Sequence, residues 1–128
     1  MSQINEALQF SIPELNEGEV YAGILLGKNG AAHQHVILLP GDIEDGKWSN
    51  AKEWAQSIDG ELPTRREQSL LFANCGEEFK RDWYWSGQEH ESDSAYAWYQ
   101  YFGYGDQSYY RKASYHCRAR AVRRLPIQ

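Results

Sequence analysis

The chain has 128 residues, 41% of them apolar, enough for a single domain with its own hydrophobic core and too apolar for a disordered chain. Its net charge is −5, with ten acids against three bases in residues 1–64 and eight against ten in residues 65–128, so the strong basic excess of a nucleic-acid-binding protein is missing. No apolar run reaches membrane-spanning length, and two cysteines, Cys75 and Cys117, are too few for a disulfide scaffold.

Residues 1–18 are polar and acidic, punctuated by Pro13 and Gly18. They are expected to form an extended arm that packs on the domain at 19–128 or reaches a second copy, giving a homo-oligomer. The opening residues lack the basic region and long apolar run of a signal peptide. The expected location is therefore the bacterial cytoplasm, or a virion assembled there.

From Val20 the pattern changes to a buried strand, Val-Tyr-Ala-Gly-Ile-Leu-Leu. A turn at Gly27-Lys28-Asn29-Gly30 supplies the positive φ angles of a hairpin, and a second strand runs from His33 to Leu39 before Pro40-Gly41. Residues 49–59 predict a helix, with Ser49 as N-cap and Ala51, Trp54, Ala55 and Ile58 on one face. Gly60 suits a left-handed C-cap. Pro63 prevents continuation, and Thr64-Arg65-Arg66-Glu67 is a capping box opening a second helix that buries Leu70 and Leu71.

Beyond Gly76 the signals are β. Tyr84-Trp85-Ser86 reads as a short strand, Tyr96–Phe102 as a central strand with aromatics on both faces, and Gly103-Tyr104-Gly105-Asp106 as a turn. Gln107–Lys112 predicts a further strand. Tyr115–Arg124 alternates, Cys117, Ala119 and Ala121 facing one way and Arg118, Arg120 and Val122 the other, as in a sheet packed on one face.

Five motifs carry a resemblance: Trp48-x-x-Ala51, Gly60-Glu61-Leu62-Pro63-Thr64-x-x-Glu67, Tyr84-Trp85-Ser86, Ala97-Trp98, and Arg118-x-Arg120-x-Val122-Arg123. Over residues 20–125 the chain resembles the Lcl C-terminal-like domain of bacteria and prophages, a family of unknown function with a layout similar to C-type-lectin-like folds. The resemblance implies an α+β fold, two helices on a small twisted antiparallel sheet, with long C-terminal loops bearing the binding residues. It further implies a non-enzymatic module of phage or prophage origin that binds a protein or a glycan. A virion structural protein, or an effector acting by protein–protein contact, is the alternative. The Glu-Pro-Asn, Gln-Pro-Asp and Trp-Asn-Asp triplets of calcium-dependent lectins do not occur, so calcium-dependent sugar binding is not expected.

Nine tyrosines cannot all hide, because each buried hydroxyl needs a partner. Tyr96, Tyr101, Tyr104, Tyr109 and Tyr110, with Asp106 and Gln107, are therefore the candidate binding face, joined by Glu89, His90 and Asp93 of an acidic loop. Trp48, Trp54, Trp85 and Trp98 are expected in the core. His33 and His35 would share a strand face, but zinc needs four ligands and His90 and His116 lack partner spacing, so two exposed histidines are expected and no metal or cofactor. The terminal arginines are expected to pair with Glu67, Glu77 or Glu78. The Leu62-Pro63-Thr64-x-x-Glu67 stretch is also similar to formylglycine-generating enzymes, whose closely spaced cysteine pair is missing; Cys75 and Cys117 are expected as buried free thiols.

Overall fold

The computed structural model describes residues 11–127. The expected arm is thus seen only from residue 11, and residues 1–10 lie outside the described residues. Residues 11–16 carry no regular structure and lead into a turn at 17–18. Arg123 ties this segment down, donating to the Glu14 carbonyl and pairing with Glu19 at 2.8 Å.

The elements in chain order are β1 (Val20–Leu25), β2 (Gln34–Leu38), β3 (Ile43–Gly46), α1 (Trp48–Ser57), α2 (Arg65–Cys75), β4 (Trp83–His90), β5 (Asp93–Tyr101), β6 (Gln107–Arg111), β7 (Cys117–Ala119) and β8 (Val122–Pro126). A single 3₁₀ turn, Gly76–Glu78, follows α2. The α+β class is as expected, but the strands form two sheets in place of one. An antiparallel sheet has the order β1-β2-β8, and a five-stranded mixed sheet has the order β3-β7-β4-β5-β6. In the latter, β4 and β7 run parallel, so the larger sheet is not purely antiparallel.

Local chemistry explains most boundaries. The β1–β2 connection turns at Asn29 and Gly30, with φ of 55° and 86°. The capping box forms as expected: the Glu67 N–H donates to the Thr64 hydroxyl at 3.2 Å, and the Thr64 N–H donates to the Glu67 carboxylate at 2.8 Å. At α1 the caps differ. Its N-cap is Lys47, without a side-chain hydrogen bond, because Trp48 enters the helix to bury its ring and donate Nε1–H to the Ser86 carbonyl at 2.8 Å. At the other end Asp59, not Gly60, takes the left-handed conformation, with φ of 61°. Gly60 is required for space: a Cβ there would meet Leu39 Cδ1 at 2.5 Å and the Val122 carbonyl at 3.0 Å.

The predicted 115–124 strand is broken. Cys117 and Ala119 stay in the five-stranded sheet, whereas Val122 begins β8 in the other. Arg120 makes the crossing: its guanidinium donates to the Glu78 carbonyl at 2.7 Å and the Leu39 carbonyl at 2.9 Å, satisfying backbone acceptors that no strand reaches.

Two cores lie on opposite faces of the large sheet. Trp85, Ala97, Tyr99, Cys117 and Ala119 pack against Trp48, Ala51 and Ala55 of α1. Tyr84 and Phe102 pack with Leu71 and Cys75 of α2 and with Ala22, Val36, Leu38 and Val122 of the small sheet. Helix α2 thus fills the space between the sheets; Leu71 is fully buried and Leu70 only partly. The two free cysteines fall in separate cores.

Candidate recognition face

The long C-terminal loops expected from sequence are largely a three-stranded meander. Residues 83–101 form a hairpin whose turn is only Glu91-Ser92, because β4 extends to His90 and β5 begins at Asp93. The acidic stretch is therefore a hairpin tip, in which Asp93 accepts from the Ala95 N–H at 3.0 Å.

Strand register divides the predicted binding residues between two faces. β5 and β6 pair Tyr96 with Arg111, Trp98 with Tyr109, and Gln100 with Gln107, which places these six side chains on one face. The intervening pairs, Ala97–Tyr110 and Tyr99–Ser108, look the other way, as does Tyr101. Tyr96, Tyr109, His90 and Gln107 therefore belong together on the α2 side. Tyr101, Tyr104 and Tyr110 belong with Trp83, Tyr99 and Tyr115 on the α1 side. Glu89 also faces α1, paired with Lys112, whose ammonium sits 4.1 Å from the Trp48 ring. Asp106 is exposed in the turn before β6.

On the α2 side the helix covers only half of the sheet. Its first turn lies over Gln100, which donates to the Gln68 carbonyl at 2.8 Å and accepts from Gln107 at 2.8 Å. Beyond that point no element among the described residues covers the sheet, and four rings form a continuous layer there. His90 stacks on Trp98 with centroids 5.3 Å apart and approaches Tyr109 at 4.3 Å, while Tyr109 meets Trp98 and Tyr96 edge-on at 5.1 and 5.9 Å. Trp98 was expected in the core; it is only partly buried, because α2 begins too late to cover it.

Two arginines border the rings. The Arg65 guanidinium lies over Trp98 at 3.5 Å and donates Nε–H to Gln107 at 2.9 Å. Arg111 lies 5.2 Å from the Tyr96 ring. Neither has a carboxylate partner among the described residues. Glu91 is engaged by the Trp98 indole, which donates at 3.1 Å; its own backbone N–H, then that bond, and after them the charges of His90 and Arg65 hold its carboxyl below the usual carboxylate range. A depression of about 300 Å³ lined by Arg65, Arg66, Ser69, Gln88 and Gln107 adjoins the layer. Arg65, Arg111 and Trp98 were not picked out for this face from sequence. The alternation Tyr96-x-Trp98 contained the signal for Trp98; the arginines required the register and the start of α2.

His33 precedes β2 and is exposed, but His35 is buried and shares a 2.7 Å hydrogen bond with the Tyr21 hydroxyl, so the two histidines do not form an exposed pair. His116 lies 3.1 Å from Asp45. No three His, Cys, Asp or Glu side chains converge on a common point among the described residues. Arg124 pairs with Glu67 and Glu61, whereas Arg118 pairs with Asp82 and Asp42. Burial raises the Cys75 thiol to about 11 and raises Cys117 further, so both are held protonated and are poor nucleophiles. Among the described residues, no helix is long and apolar enough to cross a membrane. No protein-family model matches the chain, and no curated protein sequence is significantly similar to it.

Proposed function

We propose that this protein is a non-enzymatic binding module whose recognition surface is the uncovered α2-side face of β4, β5 and β6. The observation that carries this is the layer of His90, Trp98, Tyr96 and Tyr109 bordered by two arginines that form no salt bridge among the described residues. Rings held by mutual stacking give contact area at little conformational cost, and Arg and aromatic residues dominate the energetics of recognition surfaces. The C-type-lectin-like and prophage reading rests on the sequence resemblance. The fold part of that reading is supported by the return of β8 to the first hairpin and by the two helices that follow that hairpin in the chain.

Screening of peptide and glycan arrays with four variants tests the proposal. Trp98→Ala and Arg65→Glu should each lose the bound features, whereas Tyr104→Ala and Tyr110→Ala on the opposite face should retain them. The reverse pattern would place recognition on the α1 side and overturn the assignment.

A further inference from the structure

The strand that carries the candidate face is also the edge of its sheet. β6 pairs with β5 on one side and with no strand on the other among the described residues. The bonds at either end set which of its backbone groups point outward. Lys112 N–H donates to the Ala95 carbonyl at 3.0 Å, and Tyr101 N–H donates to the Asp106 carbonyl at 2.9 Å. By antiparallel alternation, residues 106, 108, 110 and 112 bond toward β5, and Gln107, Tyr109 and Arg111 point their N–H and C=O groups away. Tyr115 N–H reaches back to the Arg111 carbonyl at 3.2 Å. The N–H and C=O of Gln107 and Tyr109 and the N–H of Arg111 have no partner among the described residues.

Side chains on this edge are not those of a blocked strand. Proteins guard exposed edges with proline, lysine or a bulge. β6 reads Gln-Ser-Tyr-Tyr-Arg, pairs with β5 in unbroken register, and exposes 45% of Tyr109 and 45% of Tyr110. The three outward-bonding residues also bear the side chains that join the aromatic layer: Gln107 under Arg65, Tyr109 against Trp98, and Arg111 over Tyr96. A chain pairing with β6 would therefore lay alternate side chains on that layer. There it would meet Arg65 and Arg111, neither in a salt bridge among the described residues, with Arg66 nearby in the adjoining depression. Among the acids of these strands and turns, Glu91 accepts from Trp98, Glu89 pairs with Lys112, Asp93 accepts from the Ala95 N–H, and Asp106, beside the Gln107 that Arg65 bonds, forms no salt bridge with Arg65.

Resting on the recognition face assigned above, we propose that the partner is an extended acidic peptide segment that adds to the β6 edge as a further strand. Backbone bonds to Gln107 and Tyr109 would supply affinity, and its alternate carboxylates would pair with Arg111 and Arg65. A second copy of this chain is disfavoured on the same face, because it would bring two sets of like-charged arginines together.

The probe is a labelled, end-blocked Glu-Thr repeat peptide, with a Lys-Thr repeat and an oligogalacturonate as comparisons, titrated into the full chain. Binding of the Glu-Thr peptide alone is expected. Tyr109→Thr keeps the outward N–H and should bind more weakly through loss of the ring. Tyr109→Pro removes that N–H at an edge position where proline is tolerated, and should weaken binding at least about tenfold beyond Tyr109→Thr. Should the proline variant fail to fold, amide exchange on the unaltered protein decides: the Gln107, Tyr109 and Arg111 amides should gain protection with peptide. Equal losses in the threonine and proline variants, or unchanged exchange at these amides, would overturn strand addition while leaving the face intact. Oligogalacturonate binding without peptide binding, or no binding of the Glu-Thr peptide, overturns the proposal too. So does a dimer in light scattering that Tyr109→Pro dissociates. The recognition face itself falls only if the arrays show no dependence on Trp98.

Discussion

The Arg65 guanidinium stacks 3.5 Å from the Trp98 ring centroid and thereby couples the first residue of α2 to the middle of β5. A double-mutant cycle between Arg65→Ala and Trp98→Ala should give a coupling energy of about 0.5–2 kcal/mol, measured by urea denaturation. Arg65→Ala should also increase acrylamide quenching of indole fluorescence, and a Trp98→Phe background should abolish that increase. An unchanged signal would mean that the cation does not shield the ring in solution.

Glu67 performs two tasks at once. Its carboxylate receives the Thr64 N–H and pairs with Arg124 at 2.5 Å, with its side chain 2% exposed. Glu67→Ala should cost about 3–5 kcal/mol, since it leaves a part-buried guanidinium without its principal partner. Thr64→Ala removes only the cap and should cost about 1 kcal/mol. Equal losses would show that the cap, not the pair, dominates.

Arg123 holds Glu19 well below the usual carboxylate range, at about 2 against 4.5, chiefly by a direct side-chain hydrogen bond. The depressed folded value means that this contribution is complete above pH 4.5 and is lost as pH falls toward 2. Glu19→Gln should therefore flatten the stability–pH curve over that window and lower stability at neutral pH. A slope identical to that of the parent would remove Glu19 from the acid-unfolding account.

Cys75 and Cys117 are buried, and both thiols are held above their ordinary values. Native protein should resist iodoacetamide in mildly alkaline buffer, and modification should follow opening of the fold, rising steeply with urea. Rapid labelling of either thiol without denaturant would contradict this packing.

Gly60→Ala should cost about 1–3 kcal/mol by overpacking, because the added methyl falls against Leu39 and the Val122 carbonyl. Asp59→Gly should be neutral or stabilising, since Asp59 carries the positive φ. These two substitutions separate the spatial role of Gly60 from the conformational role first expected of it.

The elements that were legible in the sequence are those with short-range causes. The capping box at Thr64–Glu67 joins residues three apart, the 28–30 turn needs only its own φ angles, and the apolar face of α1 repeats with the helical period. The exposure of Trp98 is not legible in the sequence, because a partly covered face and a core face show the same alternation. The 115–124 segment has the pattern of one strand because its alternation continues through Arg120, although the chain changes sheets there. The break is visible only once Leu39 and Glu78 are known to lie beside Arg120.

By itself, the sequence determined the α+β class, the order of hairpin, two helices and aromatic strands, and the excess of tyrosine that requires some rings to meet water. Tertiary structure decided which rings share a face, since that depends on pairing Trp98 with Tyr109 across strands whose register no local pattern encodes. It also decided that Arg65 belongs to the layer, because the helix start fixes where the guanidinium can reach. The edge position of β6 follows from how the strands are ordered in the sheet, and strand order is a property of the whole chain.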